Sequence, residues 1–104
     1  MHTLIVLYPT PDDPAAFKRY YEGEHIPLAA QLPGIRSIRF GYGEALGPEA
    51  PPQFCVFEAE FDSREAMQEA MTSALGQQVA ADVPNYSPKG AVVFHYASRS
   101  VGRE

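Results

Sequence analysis

The chain has one cysteine, no tryptophan and no run of basic residues. A single cysteine excludes an internal disulfide and any metal cluster built from thiols. Cys55 stands between Phe54 and Val56, where a free cysteine is typical of a strand core and not of a nucleophile. Eight Lys and Arg stand against thirteen Asp and Glu, giving a formal net charge of −5. Nucleic acid is therefore a poor partner.

Long hydrophobic runs are also missing. The N-terminal apolar run, residues 4–7, lacks the basic start, the length and the small-residue cleavage site of a signal peptide. No stretch approaches the ~20 apolar residues that a membrane helix needs. We therefore expect a cytoplasmic protein with no membrane partner. A length of 104 residues predicts a single domain over residues 1–104.

Turn-forming residues divide the chain into six elements in the order βαββαβ. The predicted strands are residues 3–8, 35–42, 53–61 and 91–98. The first helix opens at Asp12-Asp13-Pro14, and the second at a capping-box pattern of Asp62 and Glu65, with a short helical piece over residues 76–82. This order predicts an α+β, ferredoxin-like fold: a four-stranded antiparallel sheet with two helices on one face.

Both faces of the predicted sheet carry large apolar side chains. The fourth strand alternates Val92, Phe94 and Tyr96 against Ala91, Val93 and His95. Helices cover only one face, and an uncovered apolar face of this size is typical of an interface. The pattern predicts a homodimer with its two sheets face to face.

One histidine lies inside an apolar helix stripe. The stripe faces one surface at helical spacing and consists of Phe17, Tyr20, Tyr21, His25, Leu28 and Leu32. Pro27 removes a backbone donor, so the helix is expected to break or kink over residues 23–27. An imidazole can take and give a proton near neutral pH, so His25 is a candidate acid/base. The alternative is a structural histidine at the core boundary.

These residues, in their order, resemble the EthD family over nearly the whole chain. The resemblance rests on Tyr8-Pro9, Asp13-Pro14, Phe17, Tyr20-Tyr21, His25, Pro27-Leu28-Ala29, Leu32-Pro33-Gly34, Ser73, Gly76-Gln77, Ala80-Ala81-Asp82 and Pro84-Asn85. It implies a dimeric α+β barrel, an "EthD family reductase" type of protein associated with bacterial breakdown of small organic compounds. Related barrels include cofactor-free polyketide cyclases, muconolactone isomerases, quinone-forming monooxygenases and haem enzymes. This chain departs from the family with Ala74-Leu75 before Gly76, and with Tyr86 where Phe is common.

The predicted function is proton transfer on a small apolar or aromatic compound. The compound would lie between the first helix and the sheet, against Tyr8, Tyr21, Phe40 and Tyr96. His25 would be the acid/base, and Tyr21 would orient it or polarise a carbonyl. The reaction would be of the isomerase, cyclase or oxidoreductase type, in catabolism or secondary metabolism.

Three further hypotheses accompany this function. Asp82 fixes the tautomer of His25 or, the preferred interpretation, caps the backbone around Pro84. We expect no metal and no cofactor, since no nicotinamide or flavin motif is present and the spacing gives no support to haem on His25 or His95. The rival function is a non-catalytic, small-molecule-binding accessory protein that uses the same cavity.

Overall fold

A four-stranded antiparallel sheet forms one layer of the protein in the computed structural model, which describes residues 1–102. The strands are β1 (His2–Tyr8), β2 (Ile35–Tyr42), β3 (Cys55–Phe61) and β4 (Val92–Ala97), in the spatial order β2-β3-β1-β4. The helices lie on one face of this sheet, so the predicted ferredoxin-like fold is confirmed. β3 begins at Cys55, two residues after the predicted start at Gln53. The predicted domain end at Glu104 lies outside the described residues.

The first helical region consists of three segments. It runs as α1 (Pro14–Tyr20), a π-helical segment (Tyr21–His25) and α2 (Ile26–Ala29). The Asp13 side chain accepts a hydrogen bond from the Ala16 N–H at 3.1 Å, as the predicted N-cap requires. The break expected near Pro27 is present as the π segment, in which the Ile26 N–H donates to the Tyr21 carbonyl five residues back.

The second helical region is also interrupted. It consists of α3 (Arg64–Thr72), α4 (Ala74–Asp82) and a 3₁₀ turn (Val83–Asn85). The predicted capping box is wrong: Ser63 caps α3 by accepting from the Ala66 N–H at 3.0 Å. Asp62 instead binds the Arg36 guanidinium at 2.6 Å and 2.9 Å, because that bidentate contact across the chain competes for its carboxylate.

The sharp junction between α3 and α4 depends on Gly76. Ser73 adopts an extended backbone between the two helices and caps α4 by accepting from the Gly76 N–H at 3.1 Å. A Cβ atom on Gly76 would lie 2.3 Å from the Ala70 carbonyl oxygen and 2.5 Å from that of Met71. Only glycine therefore lets α4 start this close to the end of α3, and this start determines where Asp82 lies at the other end of α4.

The helix-covered face of the sheet carries the core. Every second residue of β3 is buried there: Cys55, Phe57, Ala59 and Phe61. Ile35 pairs with Phe61 and therefore lies on this face, although strict alternation from Ile38 would place it on the other face. The reason is a register shift between Ile35 and Ser37, since the additional residue of a β-bulge reverses the side-chain alternation.

The other face of the sheet is divided into an apolar and a charged half. The apolar half belongs to β1 and β4, where Val92, Phe94 and Tyr96 are 56%, 44% and 46% exposed. The charged half belongs to β2 and β3, where Arg39 pairs in register with Glu58. We call the half around Phe94 and Tyr96 the outer apolar face. None of the helices in residues 1–102 has the length and apolar character needed to cross a membrane.

The junction at Gly76 yields a stability prediction. Gly76→Ala is expected to destabilise the protein by about 1–3 kcal/mol, because the added methyl meets backbone oxygens that belong to α3 and cannot move independently. Gly23→Ala is the matched control, since nothing lies within 4 Å of its Cβ position and alanine is the better helix former. Urea unfolding of both variants measures the difference. Equal stability of the two variants would contradict the proposed role of Gly76.

Candidate active site

A cavity of about 310 Å³ lies between the helices and the β1–β4 side of the sheet. Its wall is apolar apart from His25 and Tyr8, and the other lining residues are Leu4, Val6, Ala29, Leu32, Phe57, Met71, Val79, Ala80, Val83, Ala91 and Val93. Val93 is 58% exposed on the edge strand β4. The cavity therefore reaches the surface beside β4 and has its polar groups on two side chains only.

The histidine in this wall is held by a carboxylate. His25 Nδ1 lies 2.9 Å from Asp82 Oδ2, and the histidine is only 3% exposed. A carboxylate accepts hydrogen bonds, so Nδ1 carries the proton of the neutral ring and Nε2 keeps its lone pair. Burial lowers the pKa of His25, and the hydrogen bond and charge of Asp82 only partly oppose that effect. The ring is therefore neutral at pH 7 and has a free basic nitrogen.

Asp82 is the centre of a side-chain network. Besides His25, its carboxylate accepts from the Tyr20 hydroxyl at 2.6 Å and from the Asn85 amide at 3.0 Å. Burial raises the pKa of Asp82, but these three hydrogen bonds outweigh it and hold the pKa below its usual value. The side chain makes no capping hydrogen bond to the backbone of the 3₁₀ turn that begins at Val83. The preferred interpretation of Asp82 as a backbone cap is therefore wrong, and the alternative, an orienting partner of His25, describes its contacts.

Tyr21 packs against the ring of His25. Its ring stacks on His25 with a centroid distance of 5.5 Å and an interplanar angle of 15°. Its hydroxyl is buried and has no hydrogen-bond partner within residues 1–102. Tyr21 is absent from the cavity wall, so its contacts are those of a residue that packs against the imidazole and not of one that touches a bound carbonyl.

A pair of phenols borders the same site. The Tyr8 and Tyr86 hydroxyl oxygens are 2.7 Å apart, and the two residues are 1% and 5% exposed. The Tyr86 ring also contacts the His25 ring, with 4.6 Å between centroids. Tyr8, predicted as a ligand contact, does lie in the cavity wall.

Two other predicted ligand contacts lie elsewhere. Phe40 packs edge-on against Tyr21 at 5.5 Å between centroids, outside the cavity wall. Tyr96 pairs in register with Thr3, whereas cavity residues Leu4 and Val6 pair with His95 and Val93. Because neighbouring residues on a strand point to opposite faces, Tyr96 belongs to the outer apolar face and not to the cavity.

Sequence reasoning overlooked three contributors to this site. Tyr20 and Asn85 bind Asp82, and Tyr86 binds Tyr8. The three-residue spacing of Asp82 and Asn85 around Pro84 was a usable signal, because side chains at that spacing meet on a helical turn. Met71 lines the cavity, while Met67 is buried in the core.

Thiol chemistry and metal binding are the two other chemistries that the sequence analysis addresses. Cys55 is completely buried, and burial raises the pKa of its thiol to about 11, as expected for a core cysteine. Among residues 1–102, no three His, Cys, Asp or Glu side chains gather into a possible metal site.

The fold and the site together define a class of protein: a ferredoxin-like domain with a small apolar cavity and one buried histidine–carboxylate pair. Comparison with known proteins gives the family. The model of the EthD domain matches residues 10–90, so the chain belongs to the EthD family.

Two similar proteins are more than 25% identical to this chain. An uncharacterised 11.0 kDa protein encoded between thcB and thcC of Rhodococcus erythropolis is 31% identical over 94 residues, which is 90% of this chain and 91% of that protein. The crystal structure of an ethyl tert-butyl ether D (EthD) family protein from Bacillus halodurans is 27% identical, with a TM-score of 0.86 over 95% of this chain and 99% of that one.

More distant structures share the fold. A dimeric protein of ferredoxin-like fold and unknown function from Bacteroides fragilis is 17% identical, with a TM-score of 0.65 over 91% of this chain and 93% of that one. SnoaB, a cofactor-independent oxygenase from Streptomyces nogalater, is 16% identical, with a TM-score of 0.70 over 99% of this chain and 97% of that one. At these identities the likeness concerns the fold alone.

The buried histidine predicts a pH dependence of stability. Burial lowers the folded-state pKa of His25 from 6.5, so below about pH 6.5 the unfolded chain binds more protons than the folded one. The free energy of unfolding is therefore expected to fall as the pH is lowered from about 7.5 to about 5, and to fall less steeply in His25→Gln. Urea titrations at several pH values measure this slope.

A second histidine needs a control in that experiment. Burial and the neighbouring His95 also lower the pKa of His2, so His2→Gln removes a separate part of the same slope. A His25→Gln variant with the slope of the parent protein would show that His25 is not the buried neutral base described above.

Proposed function

We propose that the cavity binds a small apolar or aromatic organic compound, and that His25 transfers a proton to or from it without a bound cofactor. The observation that carries this proposal is the hydrogen bond of 2.9 Å between His25 Nδ1 and Asp82, made by a histidine whose ring forms part of the cavity wall. Family membership supports a fold used for small molecules, while the reaction and the ligand are our inference.

The protonation state of the site favours base chemistry. Asp82 fixes the tautomer with the proton on Nδ1, which makes Nε2 the atom that accepts a proton from the compound. A neutral imidazole in an apolar wall needs no counter-ion before the reaction. When it becomes protonated, the negative charge of Asp82 stabilises the imidazolium, as a carboxylate does for a catalytic histidine in other enzymes.

The cavity wall defines the compound that fits. Of its thirteen lining residues, only His25 and Tyr8 carry a polar side chain. Such a wall favours an apolar body with a single polar, acidic position placed at His25. Loss of a proton at that position leads to an isomerisation, a ring closure or a reaction of the resulting anion with oxygen. SnoaB, a cofactor-independent oxygenase of the same fold, supports chemistry of this kind here.

An accessory binding protein without catalysis is the second candidate. It is favoured by the low exposure of His25, 3%, and by the stacking of Tyr21 on the histidine ring, because both fit a structural hydrogen-bonding residue. The two candidates share the cavity and differ in whether His25 exchanges protons with the bound compound.

Proton exchange distinguishes the two candidates directly. We expect the protein to catalyse the exchange of the α-hydrogens of acetophenone with deuterated water, because a carbonyl makes those hydrogens acidic enough for an imidazole base. His25→Gln is expected to lower the catalysed rate by roughly 10²–10⁴-fold, since glutamine can still bind Asp82 but cannot accept a proton. Proton NMR of the ketone measures the exchange.

Two comparisons complete the experiment. His95→Gln is the matched control, because His95 binds His2 on the sheet and lies outside the cavity wall. Circular dichroism and thermal melting check that His25→Gln still folds. Equal exchange rates with the parent protein and with a folded His25→Gln would favour the accessory binding protein.

We also propose that a second copy of this chain covers the outer apolar face. Phe94 and Tyr96 lie side by side there, 6.4 Å between ring centroids, and each is more than two-fifths exposed. An apolar patch of this kind on one half of a sheet is typical of a subunit interface. The Bacteroides fragilis protein of this fold is described as dimeric, which supports the same arrangement here.

The dimer is expected to persist at micromolar concentration and to bury well over ~1,000 Å² in total. Tyr96→Glu is expected to yield monomers, because the added charge would be buried in the interface without a partner. Ser37→Glu, on the charged half of the same face, is the matched control and should remain dimeric. Sedimentation velocity measures the mass. A parent protein that sediments as a monomer would overturn the proposal.

A further inference from the structure

The Tyr8–Tyr86 pair contains one phenol proton that the bond between the two hydroxyls does not use, in addition to the unpartnered hydroxyl of Tyr21, which lies outside the cavity wall. Each tyrosine hydroxyl has one proton to donate, and a single hydrogen bond of 2.7 Å joins Tyr8 to Tyr86. One of the two protons therefore has no acceptor among the contacts of residues 1–102. Both residues are nearly completely buried, and leaving a buried donor without an acceptor is unfavourable.

The two possible directions of this hydrogen bond leave the unused proton in different places. Tyr8 belongs to the cavity wall and Tyr86 does not. If Tyr86 donates to Tyr8, the unused proton is that of Tyr8, and the cavity can offer it an acceptor. The reverse direction would place the unused proton on Tyr86, outside the cavity wall.

The acidity of the phenols agrees with this direction. Burial raises the pKa of Tyr8 to about 12, and the hydrogen bond with Tyr86 acts in the opposite direction. The pKa of Tyr86 is raised further than that of Tyr8, first by burial and then by the electrostatic effect of Tyr8 and the hydrogen bond with it. Tyr8 is thus the more acidic phenol of the pair and the better donor, since a hydroxyl that accepts one hydrogen bond donates the next more strongly.

We propose that Tyr8, polarised by Tyr86, donates a hydrogen bond to an oxygen atom of the ligand. His25 accepts a proton either from that oxygen, in a phenol, or from the carbon beside the carbonyl group, in a ketone. The ligand is accordingly a phenol or an enolisable ketone on an apolar frame. This inference rests on the proposed function for the role of His25. Tyr86 is a positioning residue, because it acts through Tyr8 and lies outside the cavity wall.

The class of ligand follows from the hydrogen-bonding groups that the cavity wall lacks. Apart from His25 and Tyr8, no residue of the cavity wall offers a side-chain hydrogen bond of the usual kind, so a second polar group on the ligand would be buried without a partner. One donor and one acceptor in the same cavity wall fit a phenolic hydroxyl, which accepts from Tyr8 and donates to the neutral imidazole. An ether of the same shape lacks the proton for His25 and makes only half of this pair.

A matched pair of probes tests the inference by binding alone. The probes are para-cresol, which is not ionised at pH 7, and para-methylanisole, which has the same ring without the acidic proton. The parent protein is expected to bind the phenol about tenfold more tightly than the ether, because burying an unpaired hydrogen-bonding group costs on the order of one tenfold step in affinity. Calorimetry or ligand-detected NMR measures both affinities.

Three tyrosine variants then locate the donor. Tyr8→Phe is expected to weaken para-cresol binding about tenfold and to leave the ether within about twofold. Tyr86→Phe should produce a smaller loss for the phenol, in the same direction. Tyr42→Phe is the control, because the Tyr42 hydroxyl binds Glu22 outside the cavity wall. If Tyr8→Phe does not fold, Tyr86→Phe decides.

The outcomes are separable from those of the proposed function. An unchanged preference for the phenol in the Tyr8 and Tyr86 variants overturns the hydrogen bond from Tyr8, even where His25→Gln abolishes proton exchange. Failure of the parent protein to bind either probe overturns the inference as well. A preference for the phenol that depends on Tyr8, together with proton exchange that does not depend on His25, would retain the ligand class and reject the base.

Discussion

The arrangement of the site depends on one hydrogen bond, between His25 Nδ1 and the carboxylate of Asp82. It joins the π segment of the first helical region to the end of α4, 57 residues further along the chain. A carboxylate this far from solvent, with a side chain 12% exposed, needs several donors to remain charged. Tyr20 and Asn85 supply the others, so removing any one of the three would affect both the charge of Asp82 and the orientation of the imidazole. Structural and chemical roles are thus combined in the same four side chains.

Strand β4 contributes to two surfaces, the cavity wall and the outer apolar face. Val93 lies in the cavity wall, and its neighbours Val92 and Phe94 belong to the outer apolar face. Because β4 is an edge strand that hydrogen-bonds only to β1 within residues 1–102, its position depends on what packs against it from either side. A second copy on the outer face would hold β4 in place, and with it the open side of the cavity. Assembly and ligand binding are therefore expected to stabilise each other, since each orders the same strand.

The sequence predicted most of what depends on local pattern. The order of the elements, the break before Pro27 and the position of His25 on a buried helix face all follow from periodicity and from the chemistry of proline. The errors share another cause, which is contact between distant segments. Asp62 does not cap α3 because Arg36 binds it, and Asp82 does not cap the 3₁₀ turn because His25 and its neighbours occupy both of its oxygens. A pattern of neighbouring residues cannot show these distant partners. The face on which Tyr96 lies likewise depends on the pairing of β4 with β1.

The π segment has a consequence for how this site arises in evolution. A π turn contains one more residue than the α-helical turn it replaces, and one residue corresponds to a rotation of ~100° about the helix axis. Deleting a single residue between Tyr21 and Gly23 would let an ordinary α-helical turn replace the π turn and would change the angle between Tyr21 and His25 about the helix axis. The stacking of Tyr21 on the imidazole would be lost while the composition stayed almost unchanged. A single-codon insertion or deletion is therefore enough to create or to remove this arrangement. The number of residues in this helical region is thus as informative about the site as the presence of the histidine itself.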